Sequence, residues 1–195
     1  MIDTDATARR LFSEARSCSH WLARPVPEAV LRQVYELAKY GPTSMNSQPM
    51  RVQFVVSPSA KDKLLACLNP GNVAKTSEAP VVAIIGQDLD FPERLPVLFA
   101  HKTDAQSYYA GKPEVVASTA LRNSSLQGAY LMMAARLLGL DCGPMSGFNA
   151  AAVDQAFWAG TAVRTNFLCN LGYGDHAQLR ARAPRLDFET VCALR

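Results

Sequence analysis

Five segments of the chain carry polar or charged side chains at spacings that could bind a ligand. Arginine forks suit a phosphate, and hydroxyl and amide side chains suit a polar ligand or a turn. A backbone constrained by Pro and Gly can aim N–H groups at a ligand edge. Each segment alone also has an ordinary explanation as a turn or a solvated surface. The segments are Arg16-Ser17, Pro42 to Pro49, Asn72 with Lys75, Gly143 to Phe148, and Arg180 with Arg182.

Several kinds of chemistry lack their sequence signatures. The chain has no glycine-rich dinucleotide or phosphate loop and no G-x-S-x-G segment for a nucleophilic serine. The three histidines, His20, His101 and His176, are scattered, and no cysteine pair has C-x-x-C spacing. The sequence therefore predicts no metal site. It favours an enzyme whose chemistry is carried by an organic cofactor.

Length and composition predict a single globular domain spanning residues 1–195. Hydrophobic residues make up 49% of the chain and charged residues 19%. The net charge is +3, and acidic and basic residues are interspersed along the chain rather than forming a basic cluster. The sequence therefore predicts no nucleic-acid partner. Five cysteines without a disulfide pattern and an acidic N-terminus that does not resemble a signal peptide predict a cytoplasmic protein. The longest apolar run, 80–86, is too short for a membrane span.

Hydrophobic periodicity and breaker residues predict the elements that must position these segments. Helices outweigh strands and strict βαβ alternation is missing, so the pattern favours an α+β fold. The second half of the longest helix is apolar nearly all round, which predicts a central, buried helix. Residues 88–113 are irregular, and a loop of that length is usually functional. The predicted helices are 5–16, 27–39, 58–68, 114–138, 149–158 and one near 187, and the strands are 52–56, 80–86 and 166–171.

Taken together, the order and spacing of the five segments closely resemble the FMN-dependent nitroreductase family over essentially the whole chain. Arg16-Ser17-Cys18-Ser19 matches the family's R-S-x-R element, with Ser19 in place of the second arginine. Pro42 to Pro49 matches P-[ST]-x-x-N-x-Q-P at every defined position. The resemblance implies a nitroreductase-like fold with a central, mostly antiparallel sheet flanked by helices. It also implies an intertwined homodimer that shares its FMN sites, with the helix at 114–138 as the candidate interface.

The resemblance also assigns cofactor-binding roles to residues of this chain. The flavin phosphate and ribityl chain are expected at the first and last segments, and the loop at 42–49 is expected to reach the partner's flavin. Asn72 and Lys75 are expected at the pyrimidine edge, and the Ser146 N–H at flavin N5. The expected contacts are Arg16, Ser17, Ser19, Thr43, Ser44, Asn46, Asn72, Lys75, Pro144, Met145, Ser146, Gly147, Arg180 and Arg182.

Within the family, the chain looks most like the malonic semialdehyde reductases of uracil catabolism. The similarity lies in 41–44, 94–96, 121–125 and 143–148. It implies ping-pong hydride transfer from NADH or NADPH through flavin N5 to the aldehyde, which gives 3-hydroxypropionate. Arg94, His101 and Arg122 are the candidate substrate contacts. A broad nitro- or quinone reductase with the same cofactor is the alternative enzyme, and a flavin-binding sensor without turnover is a different class.

Overall fold

A four-stranded sheet organises the computed structural model, which describes residues 4–195. The strand order is β1-β2-β4-β3, and every neighbouring pair is antiparallel. The predicted α+β class and antiparallel sheet are thus confirmed. The strands are β1 (Met50–Val55), β2 (Val81–Asp88), β3 (Asp141–Met145) and β4 (Val163–Gly172).

The central strand β2 is covered on both faces, as its continuous apolar run predicts. Val81, Ala83 and Ile85 belong to one core cluster, whereas Val82 and Ile84 belong to another on the opposite face. All five are fully buried or nearly so. The alternation of side chains along a strand therefore divides one apolar sequence between two cores.

Helices cover both faces of the sheet. Residues of α2 and α6 pack in the first core cluster, and residues of α3 and α7 pack in the second. Asn149 caps α7 by accepting a hydrogen bond from the Ala152 N–H, as predicted. The helices are α1 (Thr4–Ala8), α2 (Glu28–Ala38), α3 (Pro58–Leu65), α4 (Pro70–Glu78), α5 (Leu95–Leu98), α6 (Pro113–Leu137), α7 (Ala150–Phe157) and α8 (Phe188–Val191).

Four elements differ from the sequence prediction, and one of them, α4, is a helix that the list of predicted helices lacks. The predicted helix at 5–16 is the short α1 followed by a π turn, Arg9–Ser13. The irregular segment at 88–113 contains two 3-10 turns and α5. Strand β3 is absent from the predicted strands, and its Gly143 and Pro144 are residues that are uncommon in strands. Proline is tolerated there since β3 lies at the edge of the sheet.

The longest helix, α6, is buried on one face within a single chain, so part of its apolar second half stays exposed there. Leu131, Ala134 and Ala135 pack in the core. Tyr130 and Leu137, from the same apolar stretch, are each 44% exposed. No helix among residues 4–195 is both long and apolar enough to cross a membrane.

Candidate cofactor site

A cavity of about 730 Å³ lies between the π turn, the end of α6 and the C-terminal segment. Four arginines line it, and no acidic residue does within the described part of the chain. Arg136 is one of them, and its Nε atom is buried without a hydrogen-bond partner among the described residues. Guanidinium groups around a cavity without a lining carboxylate favour an anionic ligand. The lining arginines are Arg16, Arg136, Arg182 and Arg185.

The first and last predicted phosphate segments are hydrogen-bonded to each other. Arg16 Nη2 donates to the carbonyl of Arg180 at 2.6 Å, and Arg182 Nη2 donates to the carbonyl of Ala15 at 2.8 Å. A second cavity of about 290 Å³ lies beside the first and also contacts Arg16. It is lined by Ser19 and Arg180 as well. The structure thus brings the predicted phosphate residues together, but divides them between two adjoining cavities.

The segment after Arg16 runs along the edge strand β3. Ser17 forms a parallel bridge with Cys142, and the Cys18 N–H donates to the Cys142 carbonyl at 3.0 Å. Burial, reinforced by the nearby Asp141 carboxylate, raises the pKa of the Cys18 thiol to about 12. Ser146 follows Cys142 by four residues, about 13 Å at strand spacing. The two ends of β3 could therefore hold the phosphate and the ring system of one extended ligand.

The far end of β3 is fixed by α4. Asn72 Nδ2 donates to the carbonyl of Gly147 at 2.7 Å, and the Asn69 N–H donates to the same oxygen at 3.0 Å. Ser146 is exposed, and its N–H makes no backbone hydrogen bond within residues 4–195. A Cβ on Gly147 would lie only 2.5 Å from Asn72 Nδ2, so glycine permits this contact. Asn72 thus holds the loop that presents a free N–H group at Ser146.

Lys75 lies one helical turn after Asn72 on α4, so both share a face. Its carbonyl accepts hydrogen bonds from Trp21 Nε1 at 2.9 Å and from Asn170 Nδ2 at 3.2 Å. Trp21 follows the phosphate segment closely, and it therefore ties α4 to that segment. Among the described residues, no hydrogen bond or ion pair involves the Lys75 ammonium. That charge is available to a ligand.

The polar loop at 42–49 has a strained backbone. Met45, Asn46 and Gln48 all have φ between 42° and 53°. Left-handed conformations of such residues persist where surrounding contacts over-determine them, often at ligand sites. Thr43 Oγ1 accepts from the Gln48 N–H at 3.2 Å, and the Ser44 N–H donates to Asn123 Oδ1 at 2.8 Å. The loop is thus rigidly built.

The Asn46 side chain makes its hydrogen bonds within the chain, to the polar loop and to the end of α5. Its Nδ2 donates to the Leu98 carbonyl at 2.9 Å, and its Oδ1 accepts from Gln48 Nε2 at 2.9 Å. Within residues 4–195, no hydrogen bond joins this loop to the phosphate segment, to α4 or to the end of β3. Within the described part of one chain, hydrogen bonds therefore do not connect Thr43, Ser44 or Asn46 to the other predicted cofactor residues.

The three candidate substrate contacts lie near this polar loop or on α6. Arg94 Nη2 is 3.6 Å from Asp88 Oδ2, and Arg94 is 57% exposed. Asp88 is buried and also pairs with Arg51 at 2.5 Å. His101 is exposed and packs against the Phe99 ring, with centroids 4.0 Å apart. Arg122 is exposed on α6, and no described residue pairs with it.

Sequence reasoning missed several residues that build the site. Arg136 lines the arginine-lined cavity from the end of α6. Its only sequence signal is a charged residue within an otherwise apolar stretch of helix. Asn123 and Gln127, buried one turn apart, accept hydrogen bonds from Ser44 and Met50. Their spacing on an otherwise apolar helix was an available signal. The fold also gathers one scattered histidine with a cysteine and an aspartate into a cluster of possible metal donors.

Comparison with known proteins decides the family. Residues 13–173 match the nitroreductase family. A protein of Stutzerimonas stutzeri, named as a proposed NADH dehydrogenase/NAD(P)H nitroreductase, is 55% identical over 193 residues, or 99% of this chain and 97% of that protein. The chain belongs to the nitroreductase family.

Solved structures of the nitroreductase family share the fold at low sequence identity. A proposed nitroreductase of Bacillus subtilis superimposes with a TM-score of 0.88 at 22% identity, covering 98% of this chain and all of that one. A proposed nitroreductase from Exiguobacterium sibiricum, solved in complex with FMN, superimposes with a TM-score of 0.85 at 20% identity. The coverage is 95% of this chain and 96% of that one. The predicted nitroreductase-like fold is confirmed.

Proposed function

We propose that this nitroreductase-family chain is an FMN-dependent NAD(P)H oxidoreductase. FMN, when bound, would accept a hydride from NADH or NADPH and pass it to a second substrate. The observation that carries the proposal is the arginine-lined cavity at one end of β3, with the free Ser146 N–H at the other. The single domain and the five free cysteines suit a cytoplasmic enzyme.

The residues around the arginine-lined cavity fit a flavin phosphate. A phosphomonoester carries about −1.5 to −2 charges at neutral pH, and four guanidinium groups face the cavity. Arg16 and Arg182 are already positioned by the carbonyls that accept their hydrogen bonds. Arg136 is likewise held beside the cavity, because its Nη1 donates to the Leu11 carbonyl at 3.2 Å. The loss of the family's second arginine at Ser19 is thus compensated by other cations.

The other end of β3 fits a flavin ring. There the Ser146 N–H would donate to the ring nitrogen N5, while Asn72 keeps Ser146 and Gly147 in place. The unpaired Lys75 ammonium would lie near the pyrimidine carbonyls, where negative charge develops as the ring is reduced. Preorganised charge at that point stabilises the reduced state without further rearrangement. The protein supplies positioning and electrostatics, and none of these residues forms a covalent bond to substrate.

We propose a homodimer whose sites are shared between chains. No hydrogen bond joins the polar loop to the other predicted cofactor residues within the described part of one chain, and we propose that the loop contacts the partner's flavin. The exposed apolar side chains of α6 provide a surface for that partner. They are Leu121, Leu126, Tyr130 and Leu137, each 44–47% exposed.

Hybrid dimers test this sharing. Arg16→Gln damages one side of the site, and Ser44→Tyr blocks the other. Ser44 is exposed, and its hydrogen bonds to Asn123 and Ser47 are made by its backbone N–H and carbonyl. If sites are shared, a hybrid of the two variants has one doubly damaged and one intact site, and we expect about half of the wild-type activity. If each chain holds its own flavin, both sites stay damaged and activity is not restored.

We propose malonic semialdehyde as the acceptor, reduced to 3-hydroxypropionate. A small carboxylate substrate needs a cation, and an aldehyde oxygen needs a hydrogen-bond donor. Arg122 offers a guanidinium with which no residue of 4–195 pairs, and Arg94 is held only loosely by Asp88. His101 lies on the same segment as Arg94 and is exposed. These groups support a pocket that recognises a small anion.

A broad nitro- or quinone reductase is the second candidate. The names of the relatives favour it, since the Stutzerimonas stutzeri protein is called a proposed NAD(P)H nitroreductase. Neutral acceptors of that kind need no carboxylate contact, so the two candidates differ in their dependence on Arg94 and Arg122.

The experiment that separates them measures kcat/KM for malonic semialdehyde and for a neutral quinone in Arg94→Ala and Arg122→Ala. Loss of a charged hydrogen bond of about 1.5–3 kcal/mol predicts a fall of about 10- to 150-fold for the aldehyde alone. Lys102→Ala is the matched control, since Lys102 is an exposed cation on the same segment. Equal losses for both acceptors would refute the carboxylate role. Parallel lines in double-reciprocal plots test the ping-pong scheme.

A further inference from the structure

Three side chains that can ligate a metal converge beside the segment assigned to the flavin phosphate, and none of the three is an expected flavin contact. One donor atom from each of Cys18, Asp141 and His176 lies within 4.8 Å of the other two. The sequence predicted no metal site because its histidines are scattered. The fold changes this, since it brings together residues from the N-terminal segment, the start of β3 and the turn after β4.

The backbone around these donors is built before any ion binds. The Cys18 N–H donates to the Cys142 carbonyl at 3.0 Å, which sets the cysteine beside the start of β3. Two further hydrogen bonds, of 2.8 and 2.9 Å, join Leu22 to Tyr173 and Asp175 to His20. All three donors are thus attached to segments that are already tied together, so little ordering remains to oppose binding.

Gly174 makes room for the thiol. A Cβ at this position would lie 2.4 Å from Cys18 Sγ and 3.0 Å from Asp141 Oδ2. Asp141 Oδ2 accepts from the Gly174 N–H at 3.0 Å and lies 2.9 Å from His176 Nε2. The carboxylate is therefore oriented by the same backbone that admits the sulfur. An aspartate hydrogen-bonded to an imidazole nitrogen also places both groups within reach of one ion.

We propose that Cys18, Asp141 and His176 form a binding site for a zinc-type divalent ion. Zn²⁺ accepts thiolate, imidazole and carboxylate ligands in one tetrahedral shell, and three protein ligands leave the fourth position for water or another ligand. Cys18 is buried, whereas the His176 side chain is 60% exposed. An ion can thus enter from the His176 side, and the thiol proton passes to solvent as the sulfur binds.

The open side of this metal site faces a cavity of about 370 Å³ that Asp141 and His176 line. Arg10 and Arg136 also line it, and each donates to a backbone carbonyl, at 2.8 and 3.2 Å. Glu14 is the remaining acidic residue of its lining. The cavity has room for a small anion as the fourth ligand, and the two arginines favour an anion over a neutral molecule.

The test titrates chelator-treated Cys192→Ser protein with Co²⁺, a spectroscopic substitute for Zn²⁺, and then displaces it with Zn²⁺. Cys192 is the exposed cysteine of the described chain, and its removal prevents adventitious thiolate binding. We expect one ion per chain and a thiolate-to-cobalt charge-transfer band. The site needs no flavin, so the titration is done without FMN and its outcome is independent of the proposed function.

The ligand variants, in the Cys192→Ser background, are Cys18→Ser, Asp141→Asn and His176→Asn. Cys18→Ser should abolish the charge-transfer band. Each of the other two should weaken binding by at least ~100-fold, beyond the roughly 10- to 100-fold typical of outer-shell changes. His176→Asn alters an exposed side chain, so a folding defect does not confound it.

His20→Asn is the matched control, because His20 is a neighbouring imidazole that pairs with Glu78 rather than with the cluster. It should leave the titration unchanged. Absence of Co²⁺ binding to the Cys192→Ser protein would overturn the proposal. Unchanged affinity in the folded His176→Asn variant, or a charge-transfer band that survives Cys18→Ser, would also overturn it.

Discussion

Replacing Arg16 with glutamine should weaken FMN binding through the phosphate. Arg16 lines both adjoining cavities, and its guanidinium is already oriented by the Arg180 carbonyl. A hydrogen bond to a charged group contributes about 1.5–3 kcal/mol. Arg16 is only half buried, so solvent screening favours the low end of that range. A loss of about 1.5–2 kcal/mol corresponds to a rise of about 10- to 30-fold in the Kd for FMN.

Riboflavin, which lacks the phosphate, separates this contact from a general disturbance of the site. Quenching of flavin fluorescence on titration gives both dissociation constants. For Arg16→Gln the Kd for riboflavin should rise by less than about 3-fold, while the Kd for FMN rises by the larger factor. Arg164→Gln is the control, since Arg164 is 54% exposed and lies near Asp154. Equal weakening of both ligands would refute the phosphate contact.

Three further predictions concern the scaffold. Gly128→Ala would place a Cβ 2.6 Å from the Phe167 ring of β4, so overpacking should lower the free energy of unfolding, measured in urea, by about 1–3 kcal/mol. Gly71→Ala is the control, because its Cβ would lie in open space on α4, and it should leave the free energy of unfolding unchanged or raise it. Asp88→Asn should lower the free energy of unfolding by about 1–3 kcal/mol, because the buried carboxylate loses its ion pair with Arg51, whereas an unchanged denaturation midpoint would contradict that role. The pKa of the Cys18 thiol is raised to about 12, so this thiol is neutral at about pH 8 in metal-free protein. Iodoacetamide, which reacts with the thiolate, should therefore label Cys18 slowly, as followed by mass spectrometry.

The sequence predicts best where one local signal decides the structure. The continuous apolar run of β2 indicated a strand covered on both faces, and its side chains indeed divide between two cores. Asn149 indicated a helix start, which its hydrogen bond to Ala152 confirms. The helix predicted at 114–138 agrees with α6 to within one residue at each end. In these cases local propensity and tertiary packing favour the same structure.

Tertiary structure decides the features that the sequence did not indicate. Pro144 is compatible with a strand because β3 is the last strand of the sheet, and strand order is a property of the whole sheet. Tyr130 and Leu137 are apolar but exposed, since burial depends on which face of α6 meets the core. Arg136 and His176 gain their importance from neighbours distant in sequence, and no local spacing predicts such contacts.

The most direct test of the flavin site is the visible spectrum of the purified chain with FMN, followed by NADH without oxygen and then by an acceptor. We expect FMN to bind one per chain, to lose its visible absorbance on addition of NADH and to regain it when the acceptor is added. Recovery with malonic semialdehyde supports the proposed substrate, and recovery only with a quinone or nitroarene supports the second candidate. A chain that binds no FMN, or whose bound FMN is not bleached by NADH or NADPH, would contradict the proposed function.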